Sequence, residues 1–317
     1  MGLFHCPIGA AYYDDDVCID CGLCNATTSE QKVEASKKLR EYIRSNVTRD
    51  VQLKKIAVCG KGGTGKSTIT ALLSRAFVEH GYRVIVLDSD DSNQSLNRML
   101  GIDGEPRPLA ELFAKATGNG NMNVQEERAS LSIEEIRTEY KNCKDGISFM
   151  LAGKIFDPFQ GCACSLAESA SRIVEKLVLR EKDLLVMDTE AGVESFGRGV
   201  ERYVDTVLAV VEPSFDSIEL AIRINTMAQG MGIKRVGAVL NKIIDADTEA
   251  KIVQKLEDKG MNVFGVINNS NALVTASFEG KPILLGMDLC IHDAMRKMVV
   301  YLTSPTLPGK VPRGDQW

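Results

Sequence analysis

"KKIAVCGKGGTGKSTITALLSRAFVEHG", residues 54–81, places an apolar run, a glycine-rich turn and a helically spaced segment one after another. Gly60 to Ser67 fit G-x-x-x-x-G-K-[ST] between a strand pattern and a helix pattern, where that motif has physical meaning. The glycines let successive backbone N–H groups curl around an anion, and the N-terminus of the following helix adds its dipole. Lys66 is then placed to reach the terminal phosphates of a nucleotide, and Ser67 to ligate Mg2+. The expected ATP cradle is Gly60, Lys61, Gly62, Gly63, Thr64, Gly65, Lys66, Ser67 and Thr68.

Seven runs share one character: KKIAVCG, RVIVLDSD, GISFML, DLLVMDTE, TVLAVVEP, VGAVLNKI and NVFGVIN. They are apolar almost continuously rather than alternately, as strands covered on both faces should be. Helical segments separate them, so the expected class is α/β with a doubly wound, mostly parallel sheet. This nucleotide-binding unit is expected over residues 54–302. Residues 101–145 break the rhythm with polar, charged sequence and read as a surface elaboration. Residues 303–317 carry three prolines and two glycines and read as a flexible tail. Residues 28–53 read as a linker helix with Thr28 as N-cap, Gln31 three residues on, and Val33, Leu39, Tyr42 and Ile43 near one face.

The 317 residues carry a net charge of -5, which supplies no basic stripe for nucleic acid or anionic membrane. No apolar run approaches the roughly 18 residues that cross a bilayer. The first residues show no basic region followed by a hydrophobic stretch, and position 6 is Cys where an acylation signal needs Ser or Thr. A cytoplasmic location is expected. Of the nine cysteines, Cys59, Cys143 and Cys290 stand alone and are expected as small buried apolar fillers. The others fall in two groups, and clustered thiols in a reducing compartment more often hold metal than form disulfides.

Lys61, directly after the first glycine, makes KGGTGKS resemble the deviant Walker A loop of the ParA, MinD and nitrogenase iron protein superfamily. The resemblance implies ATP-dependent dimerisation, with that lysine crossing to the partner's nucleotide. It further implies that Asp90 in VIVLDSDDSN orients the attacking water, that Asp188 in LLVMDTEAG is the Walker B carboxylate with Gly192 as a hinge, and that Asn241 in VLNKI reads adenine. Asp88 ends the same strand as Asp90. VINNSNA, after the last strand, lacks the proline of the superfamily pattern.

Cys162 and Cys164 lie in GCACS, just ahead of a helical pattern. In an extended turn residues i and i+2 project to one side, and two thiolates leave a tetrahedral ion half-satisfied. The two-fold dimer that the Lys61 resemblance implies would present the same pair again and complete a four-thiolate metal site. An unpaired thiol pair and a local disulfide are the alternatives. Together with DTEAGVESFGRG and VVEPSFDSIELA, GCACS resembles the CooC-type ATPases, maturation proteins of nickel-containing carbon monoxide dehydrogenase, over about residues 54–300. The resemblance implies a homodimer that binds nickel or zinc between its subunits, at Cys162 and Cys164, and couples ATP turnover to nickel insertion into such a client.

Residues 1–27 form a cysteine-rich extension in which Cys18, Cys21 and Cys24 make C-x2-C-x2-C, three ligands of a bacterial ferredoxin cluster. Cys6 is the nearby fourth thiol, and His5 is an alternative ligand. A 4Fe-4S cluster, zinc and no metal are the three readings. With a cluster, the chain also fits an ATP-gated electron donor or cluster scaffold like the nitrogenase iron protein. A ParA- or MinD-like positioning role would need a basic face or an amphipathic C-terminal helix, and neither the pI near 5.5 nor the Pro/Gly tail supports one.

Overall fold

The computed structural model describes residues 27–46, 53–90, 95–111, 130–153, 171–193 and 203–304. Helix α1 spans Ser29–Asn46. Its start is the expected capping box: the Thr28 N–H donates to Gln31 Oε1 at 3.1 Å, and the Gln31 N–H donates to Thr28 Oγ1 at 3.2 Å. Val33 is nevertheless exposed, and among the side chains described in this helix Ala35 is the buried one.

The glycine-rich segment forms β1 (Lys55–Gly60), a turn and α2 (Lys66–Glu79). Then come β2 (Arg83–Asp88), α3 (Leu96–Met99), β3 (Leu131–Ser132), β4 (Asn142–Lys144), β5 (Ile147–Leu151), β6 (Leu177–Val178), β7 (Asp183–Asp188) and β8 (Thr206–Val211). The last third alternates α4 (Phe215–Gly230), β9 (Arg235–Ile243), α5 (Ala246–Glu257), β10 (Asn262–Asn268), α6 (Asn271–Phe278) and α7 (Leu289–Thr303). Eight strands form one sheet in the order β10-β9-β8-β1-β7-β2-β5-β4. Every neighbouring pair is parallel except β4 with β5. All seven expected strands are present, and their parallel order is the doubly wound architecture.

The continuous apolar runs follow from two cores, one on each face. Along β1, Ile56 and Val58 face the core built with Ile69, Leu72 and Phe77 of α2 and with Met295 and Met298 of α7. Ala57 and Cys59 face the core built with Ala221, Ile224 and Ala228 of α4 and with Ile252 and Leu256 of α5. Side chains still alternate with period two, but both directions lead away from water, so no polar residue is selected on either.

Two expectations are corrected. Residues 101–145 are not only a surface elaboration: Leu109, Leu131, Ile136 and Tyr140 are buried in the α4-side core, and β4 supplies the antiparallel edge strand. Long polar stretches obscured these isolated apolar residues. Cys59 is buried as expected, but Cys143 and Cys290 are exposed. Cys143 lies on that short edge strand and Cys290 on the first turn of α7, places where one side of the element has no layer over it. The tail from residue 305 and the expected cysteine-rich extension up to residue 26 lie outside the described residues.

Candidate nucleotide site

The site lies at the carboxyl ends of the parallel strands, where open α/β sheets bind ligands. β1 ends at Gly60, whose φ of 144° is poorly open to other residues. A Cβ there would stand 2.6 Å from the Val210 carbonyl oxygen of β8, so the close passage of the loop past β8 requires glycine. The turn closes through Thr64 Oγ1, which donates to the Lys61 carbonyl at 2.9 Å. Gly65, at φ 93°, is the N-cap of α2, and Lys66 starts that helix with its side chain mostly buried. First-turn amides and the helix dipole therefore face the concave side of the loop, an anion site by construction.

Carboxylates arrive from β7 and β2. Asp188 ends β7 fully buried, and Ser67 Oγ donates to its Oδ2 at 2.6 Å. The Ser89 N–H and Oγ both donate to the Asp188 carbonyl, at 3.0 and 2.8 Å, which locks the ends of β2 and β7 together. Asp90 is buried two residues past β2, its N–H donating to Asp88 Oδ1 at 3.1 Å. Beyond β7, Thr189 Oγ1 donates to the Val58 carbonyl at 3.0 Å, and the Gly192 N–H donates to the Gly60 carbonyl at 3.1 Å. The segment that follows Asp188 is thus clipped directly to the glycine loop.

A cavity of about 340 Å3 opens beside the loop, with Thr68, Asn241, Asn269 and Phe278 among the residues around it. Asn241 is buried, and its Nδ2 donates to the Thr64 carbonyl at 2.8 Å. Lys61 Nζ lies 3.2 Å from Asp216 Oδ2, with both side chains substantially exposed. The expected site residues from the glycine loop, Asp88, Asp90, Asp188, Gly192 and Asn241 therefore converge on one end of the sheet. Asp216, Glu212, Lys242, Ser89 and Thr189 join them without having been singled out in the sequence. Asp216 and Glu212 sit in EPSFDS directly after a strand run, a position that could have flagged them; Lys242 carried no local signal.

Cys6, Cys18, Cys21, Cys24, Cys162 and Cys164 lie outside the described residues. Among the described residues no group of three or more His, Cys, Asp or Glu side chains is arranged to hold a metal ion, and no helix is long and apolar enough to cross a membrane.

Residues 55–283 match the CobQ/CobB/MinD/ParA nucleotide-binding domain family. The chain belongs to this family. It is a nucleotide-binding ATPase. An uncharacterised ATP-binding protein of Methanocaldococcus jannaschii is 35% identical over 237 residues, covering 72% of this chain and 92% of that one. The carbon monoxide dehydrogenase accessory protein CooC of Rhodospirillum rubrum is 32% identical over 202 residues, covering 60% of this chain and 74% of that one. In fold, the ATPase resembles the cell division ATPase MinD of Pyrococcus furiosus, with a TM-score of 0.58 and 20% identity over 78% of this chain and 97% of that one.

Proposed function

We propose that this ATPase is a dimeric metallocluster maturation factor that holds nickel or zinc at its dimer interface and couples ATP turnover to nickel insertion into a carbon monoxide dehydrogenase-type enzyme. The similarity to a carbon monoxide dehydrogenase accessory protein supports this reading, together with the Cys162-x-Cys164 pair. The delivered ion is cargo, gripped by two thiolates from each of two copies.

The nucleotide end fits Mg2+-ATP. Ser67 Oγ and the buried Asp188 carboxylate stand together at the loop, and both are hard oxygen donors of the kind Mg2+ takes. When bound, Mg2+ neutralises charge on the phosphates. Lys66 and the loop amides hold the phosphates, Asp90 orients the attacking water, and Asn241 faces the base. Lys61 leaves Asp216 for the nucleotide of the second copy, so ATP closes the dimer and sets the geometry of the four thiolates. Hydrolysis reverses that closure and releases the ion.

The C-x2-C-x2-C of Cys18, Cys21 and Cys24, with Cys6 upstream, favours a second reading as an ATP-gated iron-sulfur electron donor or cluster scaffold. Metal analysis and electron paramagnetic resonance on anaerobically purified protein, beside a Cys162→Ser/Cys164→Ser variant, separate the two. Loss of nickel or zinc from the variant, with any iron signal retained, is the outcome expected for maturation. Loss of a reducible iron-sulfur signal would replace that reading with the second.

A further inference from the structure

β9 departs from regular strand geometry at its carboxyl end. Leu240 pairs with Val266 of β10 and Ile243 pairs with Asn268, so Asn241 and Lys242 together stand opposite a single residue, Ile267. Lys242 takes up the extra residue with φ 60°, a left-handed conformation that costs a non-glycine residue energy. Regular strand neighbours point to opposite faces, and a bulge of this kind re-aims one of them. Here both side chains reach the phosphate loop: Asn241 Nδ2 meets the Thr64 carbonyl at 2.8 Å, and Lys242 Nζ meets the Gly63 carbonyl at 2.6 Å. Lys242 Nζ also pairs with Glu212 Oε2 at 2.9 Å. Glu212 starts the β8–α4 turn that carries Asp216 to Lys61. The loop is therefore held at residue 61 by Asp216, in the first turn of α4, and at residues 63 and 64 by one bulge, whose Lys242 is in turn paired with Glu212.

From this geometry we propose that Lys242 is a positioning residue for nucleotide binding, aimed by Glu212. A loop that binds phosphate through its N–H groups needs its carbonyls turned outward, and a charged donor on the Gly63 carbonyl holds that peptide so before the nucleotide arrives. The ammonium also adds positive charge beside the phosphate cradle. The unfavourable φ at Lys242 is kept because only the bulge brings this side chain to the loop. The inference rests on the ATPase site and is independent of the metal cargo.

Lys242→Gly tests it most directly, because glycine accepts φ 60° without strain while removing the ammonium. The full-length variant is expected to bind Mg2+-ATP about tenfold more weakly and to raise KM by the same factor, with kcat within about twofold, as loss of a charge-assisted bond made before the chemical step predicts. Its melting temperature without nucleotide is expected not to fall. Lys242→Met should lose affinity equally, and Glu212→Gln about threefold, with no further loss when combined with Lys242→Met. Wild-type affinity in both Lys242 variants overturns the proposal, as does a loss of affinity matched by a fall in melting temperature. Additive losses in the double variant overturn the role of Glu212.

Discussion

The two ends of the sheet use buried charge in opposite ways. At the amino ends of the strands, Asp205 Oδ2 accepts the Lys54 and Lys55 N–H groups at 2.8 and 2.7 Å. Lys55 Nζ donates to the Val174 carbonyl, and Arg235 donates to the carbonyls of Leu302 and Ser304. Burial pushes the Asp205 carboxyl up and the Arg235 guanidinium and Lys55 ammonium down. These charges are committed to main chain from distant segments and act as staples. At the carboxyl ends, charged and hydroxyl side chains pair with one another beside the glycine loop: Ser67 with Asp188, Lys61 with Asp216, Lys242 with Glu212. Contacts of that kind can be exchanged for a ligand, whereas the staples cannot be released without opening the fold.

If this division holds, variants at one end change nucleotide chemistry and variants at the other change stability. Lys66→Met is expected to lower kcat on the order of 10^2- to 10^3-fold in a phosphate-release assay, the scale of losing one charge-stabilising donor. Its melting temperature without nucleotide should stay at the wild-type value; a collapse would erase the distinction. Arg235→Met leaves the Leu302 and Ser304 carbonyls without their guanidinium donor and is expected to cost about 3 kcal/mol in a urea titration. The KM for ATP of that variant should be unchanged, and a raised KM would show the two ends to be coupled. Asn241→Ala removes a buried hydrogen bond to the loop and is expected to weaken ATP and ADP alike by about fivefold, measured by calorimetry.

The smallest expected effect lies at the start of α7. Asp288 caps α7, accepting from the Cys290 and Ile291 N–H groups at 3.0 and 3.3 Å. The Ser270 hydroxyl first, and then those two amides, hold its carboxyl below the usual range. Asp288→Ala is expected to cost about 1 kcal/mol at neutral pH. A depressed carboxyl contributes stability above its unfolded pKa and loses it as pH falls through the folded one. The difference between variant and wild type should therefore shrink as the pH is lowered below about 4. A difference that persists under acid would assign the effect to helix packing instead of the cap.

Much of the fold was legible because its signals are local. The seven strands are runs of a few residues, and the capping box of α1 spans Thr28 to Gln31. The glycine loop was legible for the same reason, since strand, turn and helix follow one another without interruption. The antiparallel edge strand β4 was not, because Asn142–Lys144 is a polar triplet whose pairing comes from the hairpin turn at Asp145 and Gly146, both at positive φ. Cys143 and Cys290 were misplaced for a related reason: cysteine reads as a core residue until the missing layer over its element is known.

The sequence alone determined the class of the protein: an α/β nucleotide-binding unit with a phosphate loop between Gly60 and Ser67. That information lies in hydrophobic periodicity and in residues only a few positions apart. Tertiary structure alone decided which distant residues complete the site. Lys242 meets Gly63, and Asn241 meets Thr64, across separations of 179 and 177 residues. Those contacts depend on strand order and on one extra residue in β9, and no local pattern specifies either. Backbone register is settled by the packing of whole strands between two cores, so a side chain re-aimed by a bulge becomes visible only once the sheet is assembled.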